Sequence, residues 1–159
     1  MGLEMDTEQM QQILDTLKEP NPSYAKLRAL EKLGEPAFDV IAGLLRGGEL
    51  RSAHRLHALR RLALLTRQQC FERTEELLRL AFAAMQDTDQ TLRSGATSMA
   101  ITVTAILEKN PNPIRSPEMK PGAKPSLREQ VQAKVRLALK LGLTEQEADF
   151  ARKFLANER

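Results

Sequence analysis

Apolar residues recur along this chain at intervals of three and four, the spacing that lines up one face of an α-helix. Met10, Ile13, Leu14 and Leu17 form the first stripe and predict a helix over about 7–18. Pro20-Asn21-Pro22 ends it, and Tyr24, Leu27, Leu30 and Leu33 carry a second helix to Gly34. Pro36 opens a third over about 36–46, with Phe38, Ile41, Leu44 and Leu45 inward, and Gly47-Gly48 turns the chain. A fourth helix over about 49–66 is apolar around much of its circumference, so it is expected to lie between neighbours. A fifth spans about 71–86, and Asp87-Thr88-Asp89 leads into a sixth over about 90–109, with Asp89 as its cap. That sixth helix holds Gly95 and several Thr and Ser, weak helix formers, so tertiary packing must sustain it.

The stretch 110–125 differs in kind: five of the chain's eight prolines fall in it, which excludes helix and predicts a linker. Beyond it, Ser126 with Glu129 and Thr144 with Glu147 have capping-box spacing and predict helices over about 126–141 and 144–156. The pattern gives an all-α chain of eight helices paired as hairpins. Its expected organisation is a helical repeat domain over 1–109, a proline-rich linker over 110–125 and a C-terminal helical hairpin over 126–159.

Leu50-Arg51-Ser52 and Leu92-Arg93-Ser94 stand 42 residues apart, each after an apolar helix and a short polar turn. A two-helix period of about 40 residues is that of an α-solenoid, in which stacked hairpins share one core because one hairpin cannot bury both faces. Gly34-Glu-Pro-Ala37 with the helix after it, and Met85-Gln-Asp-Thr-Asp89 followed by Leu92-Arg93-Ser94 and Ala96, resemble HEAT repeats. In that family an Asp stands in the turn and an apolar-Arg pair opens the second helix. Tyr24-Ala25 and Gly47-Gly48 depart from the pattern, and the resemblance covers about 7–109. It implies a short HEAT/armadillo-like solenoid serving as a scaffold, in which Arg51 and Arg93 pack against the acidic turn of an adjacent repeat.

Composition agrees with packed helices: aromatics are 4% of residues, Trp is absent, and Leu and Ala supply most of the apolar mass. Glu4, Asp6 and Glu8 stand where a signal peptide needs basic and then apolar residues, and no apolar run reaches the roughly 18 residues of a membrane span. Cys70 is the one cysteine, which excludes an internal disulfide and fits a reducing compartment; these signs together point to the cytoplasm. The net charge of +3 is unevenly spread. Residues 1–50 carry nine acidic and five basic side chains, residues 51–81 seven arginines against three glutamates, and residues 110–159 ten basic against six acidic. Such asymmetry steers partners or aligns subunits head to tail, so a homo-oligomer is one expectation.

On the fourth helix His54, His57 and Arg61 share a face by 100° steps, with Arg51 and Arg55 adjacent. The histidines have the i, i+3 spacing of a metal pair, yet no carboxylate or cysteine nearby in sequence completes a shell, so no metal is expected. On the sixth helix Ser94, Thr97, Ser98, Thr102 and Thr104 either admit a close-approaching segment or bond their own backbone. The chain holds no Gly-rich phosphate loop, nucleophile elbow, HExxH or cysteine pair, so neither an enzyme nor a cofactor is expected. The leading expectation is a protein-binding scaffold or adaptor for a partner with an acidic segment. Its contact set is Arg51, His54, Arg55, His57, Arg61, Arg93 and Thr97, on the inner surface of the fourth and sixth helices. The rival is a nucleic-acid binder using Arg55, Arg60, Arg61, Arg115, Lys120, Lys124 and Arg128, weakened by the scarcity of aromatics for stacking on bases.

Overall fold

The structure, a computed structural model, describes residues 6–68, 70–109 and 127–156. The expected linker over 110–125 lies outside the described residues. Eight α-helices follow in order: α1 (Thr7–Lys18), α2 (Tyr24–Leu33), α3 (Glu35–Gly47), α4 (Ser52–Gln68), α5 (Thr74–Ala84), α6 (Gln90–Lys109), α7 (Leu127–Leu141) and α8 (Glu145–Ala156). A 3-10 turn, Phe71–Arg73, precedes α5, so the fifth predicted helix begins as a tighter coil. No strand occurs among the described residues, and no helix there is long and apolar enough to cross a membrane.

Local chemistry sets the helix ends. Asp6 caps α1 by accepting the Gln9 N–H at 2.7 Å while the Gln9 side chain accepts the Asp6 N–H at 3.2 Å, a reciprocal capping box. Gly34, at φ 61°, both closes α2 and opens α3, a conformation that an L side chain resists. Pro36 then sits in the first turn of α3, where no intrahelical donor is needed. Asp89 caps α6, its carboxylate accepting the Leu92 N–H at 3.0 Å and its carbonyl the Arg93 N–H at 2.9 Å.

The chain divides into two compact units, Met1–Leu80 and Ala81–Arg159, with the boundary inside α5. Within the second unit α7 and α8, the expected C-terminal hairpin, both pack on α6. In the first unit α4 is the central helix, in contact with α1, α2, α3 and the 3-10 turn. Ile13, Leu17, Leu30, Phe38, Ile41, Leu59, Leu62 and Leu65 are sealed from solvent in its core. In the second unit α6 is central between α7 and α8, and Leu92, Ala96, Ala100, Val131, Val135 and Ala151 are buried.

Three threonine hydroxyls of α6 bond their own helix. Thr97, Thr102 and Thr104 donate to the carbonyls four residues back, at 2.8, 3.0 and 2.7 Å. Packing therefore sustains a sequence that is poor in helix formers.

The two Leu-Arg-Ser triplets differ in place. The Arg51 carbonyl accepts the Arg55 N–H at 2.8 Å, so Arg51 is the residue capping α4, and it is exposed. Arg93 lies one turn inside α6 and is buried. The cap residues Arg51 and Asp89 are thus 38 positions apart while the triplets are 42 apart, a slip of about one helical turn.

An ionic cluster fastens α3 to the 3-10 turn and α5. Arg73 donates to Asp39 at 2.6 Å and to Glu76 at 2.8 Å, Arg46 also pairs with Glu76, and the Arg73 guanidinium lies 4.2 Å from the centre of the Phe38 ring. Burial pushes the Glu76 carboxyl up, but the hydrogen bonds and charges of Arg46 and Arg73 outweigh it and hold the group below its ordinary value. A depressed carboxyl stabilises the fold above the unfolded-state pKa and loses that contribution as pH falls through the folded one. The Glu76→Gln variant is therefore expected to be less stable than the parent at pH 7 by about 1 kcal/mol, since the pairs are partly solvated. In urea unfolding the deficit should shrink as pH falls below the ordinary carboxyl range; a deficit that stays constant with pH would count against the ion pairs as its source.

Candidate functional site

The candidate contact residues follow from what happens at the end of α1. A helix leaves its last four carbonyls without intrahelical donors. Here Pro20, four residues after Thr16, has no N–H to give to the Thr16 carbonyl. Side chains of α4 supply the missing donors. Arg61 Nε donates to the Thr16 carbonyl at 3.3 Å, and its Nη2 to the Glu19 and Pro20 carbonyls at 2.8 and 3.3 Å. His57 Nδ1 lies 2.8 Å from the Leu17 carbonyl, which can only accept, so Nδ1 carries the proton. Both cationic and polar groups also suit the negative end of the α1 dipole. Burial lowers the Arg61 pKa, the neighbouring charge of Arg60 lowers it further, and Glu19 partly opposes both.

The face carrying His54, His57 and Arg61 is thus turned to the C-terminal end of α1. His57 and Arg61 are buried, and His57 Nδ1 and Arg61 Nε and Nη2 are used within the fold. His54 is half-buried, its ring 6.1 Å from that of His57. Among the described residues no group of three or more His, Cys, Asp or Glu side chains converges as metal ligands would. Arg55 is half-buried, with Nη2 on the Ser52 hydroxyl at 3.1 Å.

Arg93 has a corresponding task in the second unit. Nη1 donates to the Asp87 carbonyl at 2.7 Å, Nε to the Gly142 carbonyl at 2.8 Å and Nη2 to the Leu141 carbonyl at 3.3 Å. Ser94 Oγ accepts the Thr144 N–H at 2.9 Å. This arginine and serine together hold the turn between α7 and α8, and Thr97 is sealed beneath them. Within its own turn Arg93 thus donates to the Asp87 carbonyl. Of the seven expected contact residues, then, Arg51 is exposed, His54 and Arg55 are half-buried, and His57, Arg61, Arg93 and Thr97 are buried.

The expected nucleic-acid set is dispersed in role. Arg60 is exposed, whereas Arg128 pairs with Glu108 at 2.6 Å and lies 4.7 Å from the Phe154 ring centre. Arg115, Lys120 and Lys124 lie outside the described residues.

What the structure leaves to solvent on α4 is a different stripe: Ala53, Arg60 and Arg67, at steps of seven, flanked by half-buried Ala63 and Leu64. Seven residues turn an α-helix by nearly two full turns and advance it about 10.5 Å, so Arg60 and Arg67 stand on one face at that separation. No carboxylate among the described residues forms an ion pair with either. Arg67 escaped the sequence reading, although its i, i+7 relation to Arg60 was the available signal. Cys70 is buried, and burial followed by the charges of Glu35 and Glu72 raises its thiol pKa, so it is a packing residue and a poor nucleophile.

No protein-family model matches this chain, and no curated protein or solved structure matches it.

Proposed function

We propose that the chain is a non-catalytic protein-protein interaction module of the cytoplasm, a scaffold or adaptor built as a short HEAT-like solenoid. Its docking surface is the solvent face of α4, and the partner it fits is an acidic helical segment. The observation that carries this reading is the Arg60–Arg67 stripe: two guanidinium groups that engage no carboxylate among the described residues, on a helix fixed from several sides. Exposed arginines on a rigid helix recognise carboxylates at matched spacing, and Ala63 and Leu64 between them offer a small apolar floor. The turn chemistry at Gly34-Glu-Pro-Ala37 and Met85–Asp89 supports the solenoid reading, whereas the Leu-Arg-Ser triplets, one helical turn out of step, add nothing to it.

Fluorescence anisotropy with a labelled helical peptide bearing glutamates seven residues apart tests it. The R60E/R67E variant should bind about tenfold or more weakly than the parent at a temperature where both are fully folded, its melting temperature falling only slightly for the Glu placed at the α4 C-terminus. Equal affinity for both proteins overturns the assignment of the surface. Tighter binding of generic duplex DNA than of the peptide, with a steep salt slope lost in the same variant, favours nucleic acid instead.

A further inference from the structure

We propose that a second copy of this chain supplies such an acidic segment, seating the outer face of its α1 on the arginine face of α4. The inference rests on the reading of α4 as a docking surface. Within α1, Ile13, Thr16 and Leu17 face the core, which leaves Glu8, Gln11 and Gln12 exposed and Asp15 half-buried toward the outside. Glu8 and Asp15 are seven residues apart, as Arg60 and Arg67 are, so both pairs span about 10.5 Å on straight helices. Two helices laid antiparallel bring Arg67 to Glu8 and Arg60 to Asp15 together.

The antiparallel sense is the favoured one. Glu8 lies in the first turn of α1 and Arg67 in the last turn of α4, where each charge already suits its own helix dipole, so the two ends attract as well as the side chains. Between the pairs, Leu64 and Ala63 meet the aliphatic stems of Gln11 and Gln12. The Asp15 carboxylate accepts one bond from Gln11 Nε2 at 2.8 Å and has a second oxygen for an arginine. The same complementarity runs through the sequence, whose first 50 residues are net acidic and whose next 31 are net basic. The contact joins different faces of two copies and is therefore heterologous.

One helix pair buries less than a standard interface of about 1,200 Å² or more, so the association is weak and depends on salt. Sedimentation velocity of the full chain, from about 10 μM to about 1 mM, reads it out. At low salt the weight-average sedimentation coefficient should climb with concentration, and in 0.5 M salt, at a Debye length of roughly 4 Å, it should stay flat. R60E/R67E and E8R/D15R should each remain monomeric, and an equimolar mixture of the two should associate, because native and swapped charge pairs then coexist. Should E8R/D15R fail to fold, E8Q/D15N removes the carboxylates without reversal and is likewise expected to be monomeric. A parent that stays monomeric at low salt, variants that associate like the parent, or a mixture that does not associate overturns the inference. The peptide titration repeated on E8R/D15R separates the two readings: retained peptide binding leaves the docking face standing and removes only the second copy.

Discussion

Replacing Arg93 by alanine is expected to destabilise the second unit by about 3 kcal/mol, because one buried side chain donates to three partly buried backbone carbonyls. Alanine leaves the Asp87, Leu141 and Gly142 carbonyls without those donors and opens space under the α7–α8 turn. Gly142 sits at φ 105°, which glycine reaches without steric cost and which lets the turn present its carbonyl to Arg93. Arg93→Lys should recover a minor part, since a single ammonium cannot reproduce three divergent N–H donors. Arg51→Ala is the matched control. It removes the arginine of the other Leu-Arg-Ser triplet, which is exposed, and should change stability by no more than about 0.5 kcal/mol. Thermal unfolding by circular dichroism reads both, and hydrogen exchange at the Thr144 amide, held by Ser94, reports whether the turn opens first. If Arg93→Ala melts within a degree or two of the parent, this arginine does not hold the turn.

Local chemistry was legible in the sequence, and the orientation of helices was not. Asp89 as a cap, Gly34 and Gly48 as helix ends, and the stripes of α1 and α3 all depend on residues within a turn of one another, so spacing alone finds them. The wheel of α4 was also read correctly: His54, His57 and Arg61 do share a face. Which way that face points is a tertiary fact, decided by carbonyls 40 to 45 residues earlier. A basic, polar stripe looks like surface until its donors are matched to acceptors. Pro20 was the available clue, because a proline four residues after Thr16 creates an acceptor that something distant must satisfy. The 42-residue period hid a similar trap. Two identical triplets one helical turn out of register keep much the same apolar face, so the pattern of burial repeats while Arg51 and Arg93 end in opposite environments.

Phe38→Ala should have an effect of comparable size in the first unit, for a different reason. The ring is fully buried on α3 and is covered by the Arg73 guanidinium at 4.2 Å, which is itself fixed by Asp39 and Glu76. Truncation leaves a cavity in a close-packed core and is expected to cost about 3–5 kcal/mol in urea unfolding. The cation–π share is about 0.5–1 kcal/mol and can be isolated by a double-mutant cycle with Arg73→Met. Phe38→Leu keeps most of the apolar volume and loses the ring face, so it should fall between the parent and Phe38→Ala. A Phe38→Ala cost below about 1 kcal/mol would mean that the site collapses around the missing ring. The same substitution bears on the docking face, because α3 packs directly on α4 and holds the helix that carries Arg60 and Arg67. Guanidinium groups recognise carboxylates seven residues apart only while their own helix keeps its pitch and place. Phe38→Ala should therefore weaken binding of the acidic peptide without touching either arginine, and the loss should grow as temperature approaches the variant's melting point. R60E/R67E should show the opposite signature: binding lost at every temperature, with stability little changed.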